Sequence, residues 1–143
     1  MKLSKQQLEK FESLLESQGY KRDQNHKGDW MYYKALIKED HFALYIEFNV
    51  YDFSRYSTYQ PKEFPISFEP MIIIVQNSLS TTLEIPFFYD KHPLFVKYDE
   101  GKNGFVEMEW NDKKIWKYLD NLEDVARTFM IFYNHSVTQY IIE

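Results

Sequence analysis

Between Met31 and Val50 the chain keeps a hydrophobic period of two on both sides of a short polar break, Lys38-Glu39-Asp40-His41. No other feature constrains the fold as much. Met31, Tyr33, Ala35 and Ile37 alternate with Trp30, Tyr32, Lys34 and Lys38; Phe42, Leu44, Ile46, Phe48 and Val50 alternate with His41, Tyr45, Glu47, Asn49 and Tyr51. Successive side chains of a strand point to opposite faces, so each run reads as a strand with one buried face and the pair as a hairpin. With odd positions as core in the first strand and even positions in the second, Ile37 pairs with Phe42, Ala35 with Leu44 and Tyr33 with Ile46. That register sets Tyr32 opposite Glu47 and Lys34 opposite Tyr45 on the other face. A slip of one residue would expose the core set, which holds the register in place.

Helical spacing brackets this sheet pattern. Ser4 and Gln7 form a capping box, Leu3 and Leu8 have the spacing of a hydrophobic staple, and Leu8, Phe11, Leu14 and Leu15 make one apolar stripe. Gly19 supplies a left-handed stop, with Tyr20 folding back on Leu15, so the first helix spans about Lys5 to Gln18. At the other end Asp120 and Glu123 form a second capping pattern. The closing helix is expected from about Asn121 to Tyr140, burying Leu122, Val125, Ala126, Phe129, Tyr133, Ser136 and Tyr140.

Lys21 to Asp29 reads as a loop, and Asp52 to Pro65 as a long connection. A third strand is predicted from Ile66 to Gln76, bulged at Pro70, because proline cannot donate to the ladder. After a turn at Asn77-Ser78-Leu79-Ser80, Thr82 to Phe88 forms a fourth, with Leu83, Ile85 and Phe87 on one face and Pro86 marking an edge. Leu94 to Asp99 and Phe105 to Trp110 make a second hairpin around Glu100-Gly101-Lys102-Asn103-Gly104. In it Leu94, Val96 and Tyr98 face Trp110, Met108 and Val106, and Lys97 falls opposite Glu107. The fold predicted is α+β: an N-terminal helix, an antiparallel meander-like sheet of about six strands and a long C-terminal helix, both helices on one sheet face. Residues 1–143 form a single domain, with no repeat or internal boundary.

Composition narrows the function. The 143 residues are 44% hydrophobic and 27% charged, as a folded domain requires, and 19% aromatic, with 12 Tyr, 12 Phe and 3 Trp. Such side chains favour strands. No cysteine is present, which removes disulfides, thiolate metal sites and a Cys nucleophile. The first residues lack the apolar stretch of a secretory signal, and no run approaches the roughly 20 apolar residues of a membrane span. A cytoplasmic location is therefore expected. A net charge of -5 argues against coating nucleic acid through its phosphates.

Signs of catalysis are few. His26, His41, His92 and His135 show no metal-ligand spacing among them, so no metal and no cofactor is expected. His92 beside Asp90 could orient as an acid–base pair, but Asp90-Lys91-His92-Pro93 also reads as a polar turn, the preferred reading. Glu107 and Glu109 share a strand face as paired carboxylates do. A solvated face with Lys97 as the partner of Glu107 explains them more simply. G-x-S-x-G, phosphate-loop, dinucleotide and H-E-x-x-H motifs are absent from the sequence, and no catalytic residue is assigned.

Two features exceed what a plain surface needs. The outward face of the first hairpin is expected to collect Trp30, Tyr32, Tyr45 and Tyr51, with Arg55, Tyr56 and Tyr59 in the loop that follows. Tyr, Trp and Arg dominate binding hot spots because they combine area with a polar handle. In the closing helix, Ile131 lies opposite the stripe through Phe129 and Tyr133, and Ile142 falls near the same side. That is a candidate contact for a homodimer. The reading is a non-enzymatic interaction protein, such as a small cytosolic adaptor, inhibitor or immunity-type protein, with an unidentified protein partner. The alternative is a small-ligand-binding or ligand-processing domain with a pocket between sheet and C-terminal helix, where Arg55, His92 or the glutamates supply polarity. Single-stranded nucleic acid, which stacks on exposed rings, is disfavoured by the acidic balance.

Overall fold

The first helix starts and stops where its caps dictate. In the computed structural model, which describes residues 2–24, 29–55, 64–77, 79–84 and 94–142 (side chains of 55, 81–84 and 129–142 excepted), helix α1 spans Lys5–Ser17. The Gln7 N–H donates to Ser4 Oγ at 3.2 Å, and the Ser4 N–H to Gln7 Oε1 at 2.9 Å. At the far end Gly19 takes φ +89°, a conformation that costs a residue with a Cβ. The Tyr20 and Gly19 N–H groups then donate back to the carbonyls of Leu15 and Glu16, which satisfies the end of the helix.

Six strands form one antiparallel sheet. They are β1 (Lys2–Leu3), β2 (Lys21–Asp23), β3 (Trp30–Glu39), β4 (Phe42–Asp52), β5 (Ile66–Gln76) and β6 (Leu79–Glu84). The order is β1-β5-β4-β3-β2, with β6 also on β5. β1 and β6 thus share one edge of β5, at Ile66–Ser67 and Met71–Gln76 respectively. Pro70 stands in the gap between them, and pairing with β4 runs through it without a bulge. Two of the six are too short to show a period: β2 lies in the stretch read as a loop, and β1 is the lead-in to α1. Strand β6 begins at Leu79, just after Asn77 at φ 49°; the expected continuation over 85–88 lies outside the described residues.

The first hairpin keeps its place and changes its register. Trp30 pairs with Val50, Tyr32 with Phe48 and Lys34 with Ile46, and beyond an irregularity between Ala35 and Ile37 the pairing resumes as Ile37 with Leu44. The cause is Leu36, which stands beside Ile37 and breaks the alternation. A bulge lets both residues pack against the core. Before the bulge the faces are therefore exchanged relative to expectation. Tyr32 is 1% exposed in the core, whereas Met31 and Tyr33 face outward.

The second hairpin, β7 (Val96–Asp99) and β8 (Gly104–Glu107), forms its own two-stranded sheet. Its register also differs by one: Tyr98 pairs with Phe105, Lys97 with Val106 and Val96 with Glu107. The turn decides this. Asp99 Oδ1 accepts the Gly101 N–H at 2.9 Å, a single 3-10 turn covers Glu100–Lys102, and Asn103 at φ 50° returns Gly104 to the ladder opposite Asp99. Lys97 and Glu107 thus lie on opposite faces, so the expected pair does not form.

Helix α2 spans Asp112–Ile142 and starts nine residues before the predicted Asn121. Its cap is Asn111, whose Oδ1 accepts the Lys114 N–H at 3.1 Å. Ile115, Tyr118, Leu119, Leu122 and Ala126 are buried at helical spacing, and Val125 is half-buried. Asp120 and Glu123 therefore lie inside the helix. The side chains at 129–142, including Ile131 and Ile142, lie outside the described residues.

Both helices cover one sheet face. Phe11 of α1 stacks on Phe68 of β5 at 5.1 Å between centroids and meets Phe48 and Phe95 edge-on at 5.7 and 5.4 Å. Gln7 Nε2 donates to the Phe95 carbonyl at 2.8 Å, which ties the approach to β7 to α1.

Candidate functional site

With the helices on one side, the other face of β3–β4–β5 is built from Met31 and Tyr33, from Ala43, Tyr45, Glu47, Asn49 and Tyr51, and from Met71, Ile73 and Val75. These alternate with core residues along the same strands, so strand geometry alone places them there. Tyr33, Glu47 and Met71 lie abreast across the three strands, as do Met31, Asn49 and Glu69. Glu47, 8% exposed, and Asn49 are withdrawn from water although they point away from the helices, and both have partners within the fold.

An open cleft of about 250 Å3 lies on this face. Tyr33, Tyr45 and Glu47 line it from β3 and β4, Ile73 and Val75 from β5, and Met31 with Asp23 toward the β2 edge. Further along β4, Tyr51 stacks on Phe53 at 6.2 Å, and Phe53, on the 3-10 turn Phe53–Arg55, is 44% exposed. The Phe53 N–H is anchored to the Pro65 carbonyl at 2.8 Å. Burial, together with the nearby carboxylates of Glu69 and Glu47, pushes the Tyr51 phenol above its ordinary value.

The expected binding residues divide. Tyr45 and Tyr51 share the outward face. Tyr32 does not: it is buried, and its hydroxyl donates to Glu12 of α1. Burial and that carboxylate raise the Tyr32 phenol. Trp30 is also on the helix side, half-buried against the core, with the Arg22 guanidinium 4.7 Å over its ring and Glu12 3.6 Å from that guanidinium. Arg55 ends the 3-10 turn, its side chain outside the described set, and Tyr56 and Tyr59 also lie outside the described residues. Met31, Tyr33 and Ala35 are the outward residues that pattern reading placed in the core. The adjacent pair Leu36-Ile37, where strict alternation fails, was the available signal.

A second polar cluster closes the helix side. The Lys34 ammonium lies 2.8 Å from Glu123 Oε1 and 5.5 Å from the centre of the Tyr20 ring, while the Tyr20 hydroxyl donates to Glu123 at 3.4 Å. Arg127 approaches Glu123 at 3.8 Å. Burial first, and Glu123 second, hold the Tyr20 phenol far above its ordinary value. Each charge here is committed to another, so the cluster reads as a clasp joining β3, the exit of α1 and α2.

The other candidates gain no catalytic geometry. His41 is exposed in the β3–β4 turn, where its carbonyl accepts the Asn77 N–H. His26, Asp90 and His92 lie outside the described residues, as does the side chain of His135. Glu107 and Glu109 are exposed, and Glu107 accepts the Ser4 hydroxyl at 3.4 Å. Among the described residues no group of three or more His, Cys, Asp or Glu is placed to hold a metal, and no helix is long and apolar enough to cross a membrane. Comparison with known protein families, with curated proteins and with solved structures finds no match to this chain.

Proposed function

We propose that the chain is a small interaction protein of the adaptor, inhibitor or immunity type, working in the cytoplasm and holding a protein partner on the outward face of β3–β4–β5. One observation carries this reading. An antiparallel sheet covered on one side usually turns polar side chains to water on the other. Here the half-buried part of the second face is Met31, Tyr33, Tyr45, Tyr51, Ile73 and Val75, beside Met71, Glu47 and Asn49, which are buried. Tyrosine suits such a surface, since its ring buries well and its hydroxyl tolerates water.

This cleft is smaller than an ordinary small-ligand site. Ligand sites usually enclose about 300–1,000 Å3. The cleft holds about 250 Å3 and is open to solvent. On the helix side, Phe11, Phe48, Phe68 and Phe95 pack together between α1 and the sheet.

The test is affinity capture from the native host with the wild-type chain, Tyr45→Lys and, as an exposed control on α2, Asp124→Ala. A partner retained by wild type and by the control, but lost with Tyr45→Lys, is the expected result. Equal capture by all three, or a metabolite that shifts the melting temperature when no protein is captured, would count against the interaction reading.

A further inference from the structure

We propose that the cleft receives a cationic side chain, arginine or lysine, from a basic segment of the partner protein. The inference rests on the outward face being the binding surface, and it names what that face selects.

The helix side of the sheet shows how this chain binds its own cations. Lys34 lies between the Tyr20 ring and the Glu123 carboxylate, and Arg22 between the Trp30 ring and Glu12. In both cases an aromatic face and a carboxylate hold one cation between them. The ring attracts the charge through its quadrupole, and the carboxylate attracts it directly. The cleft repeats the first two components: Tyr33 and Tyr45 supply rings, Asp23 and Glu47 supply carboxylates. No lysine or arginine is among the described residues that line it. Lys21, opposite Tyr33 on β2, and Lys38, opposite Ala43 on β4, are exposed outside that lining.

The two carboxylates have different parts. Glu47 is withdrawn and engaged within the fold, so it is not assigned direct contact. Asp23 is exposed on the edge strand, where Oδ1 accepts the Gln24 N–H at 2.7 Å, and it can meet an incoming charge. Ile73 and Val75 give the cleft an apolar wall. Arginine and lysine fit this combination because their methylene stems lie along apolar surface while the charged end reaches a polar group. The net charge of -5 would also draw a basic partner toward the chain.

The experiment is an amide NMR titration of the intact chain with acetyl-Gly-Arg-Gly-amide, against the isosteric citrulline peptide at the same ionic strength. Saturable shifts at Tyr33, Tyr45 and Glu47 are expected with the arginine peptide alone. About 0.5 M salt or Asp23→Asn should weaken them by roughly threefold or more. Asp23 is an exposed edge residue, so this variant keeps the fold. Equal shifts with citrulline, or an arginine response indifferent to both salt and Asp23→Asn, overturn the proposal. If Tyr45→Lys abolishes capture of a protein while the arginine peptide gives no shift, this inference falls and the interaction reading stands. If the arginine peptide binds but no protein is captured, the protein origin of the cation is overturned.

Discussion

On the helix side of β4, Leu44, Ile46, Phe48 and Val50 are closed off beneath both helices; on its other side, Ala43, Tyr45, Glu47, Asn49 and Tyr51 are also largely withdrawn from water. The helix-side residues of β4 are hydrocarbon throughout, and phenylalanine rings from α1, β4, β5 and the approach to β7 interlock there. The outward residues mix phenols, an amide and a carboxylate. A hydrocarbon face must stay covered for the chain to fold. A phenol face holds its shape whether covered or wet, because each ring keeps a group that water can satisfy. The difference separates a face that makes the fold from one suited to meeting a partner.

The comparison is broken most directly at Phe48. Its ring touches Phe11, Tyr20 and Phe68, and the side chain is fully buried. Phe48→Ala should cost about 3–5 kcal/mol, the sum of lost transfer energy and a cavity its neighbours cannot fill. Urea unfolding of the variant measures this. A loss below about 1 kcal/mol would mean that the interior is loosely packed and that the two faces differ less than their residues suggest.

Alkali tests the helix side in another way. Tyr20 and Tyr32 are buried beside Glu123 and Glu12, and both phenols are raised. Above pH about 10 tyrosines of the unfolded chain lose their protons while these two keep theirs in the folded state. The unfolded state then binds fewer protons, so stability falls as pH rises through that range, by up to about 1.4 kcal/mol per pH unit for each such group. Below pH about 9 this contribution is complete and flat. Tyr20→Phe should remove part of the alkaline slope in pH-dependent unfolding, and an unchanged slope would show that Tyr20 ionises as freely as in the unfolded chain. Tyr51 on the outward face is also raised, so it adds to the slope.

Much of this architecture could be read from local signals. Ser4, Gln7 and Gly19 mark the ends of α1 through chemistry contained within a few residues, and they mark them correctly. Strand periodicity located β3, β4 and β5 for the same reason. What it could not fix was which face is which. Leu36 and Ile37 are both apolar, so the alternation has two consistent phases, and the bulge that resolves them is set by packing against the core. The start of α2 was hidden similarly. Asn111 is a weaker cap signal than Asp120 with Glu123, and Glu123 owes its position to Lys34, which is distant in sequence. Part of the candidate face was therefore legible: Tyr45 and Tyr51 follow from β4, whose phase was read correctly. Tyr33 follows from the phase of β3 and Asp23 from a three-residue edge strand, neither of which local pattern could fix.

The smallest expected effect on folding carries the sharpest contrast. Tyr33 and Tyr45 are half-buried cross-strand neighbours of Glu47 and Ile73. Replacing either with threonine keeps a strand-favouring, β-branched side chain and a hydroxyl, and it removes the ring. Cross-strand pairs contribute about 0.2–1 kcal/mol. Each variant should therefore lose about 1 kcal/mol or less in urea unfolding while losing partner capture. If Tyr45→Thr costs as much as Phe48→Ala, the outward face is a second core that the chain keeps covered by itself. Its phenols would then be holding the fold together, and the distinction between the two faces would disappear. A small cost with intact capture would place the partner elsewhere. Only a small cost with capture lost fits a surface that folding leaves ready for a partner.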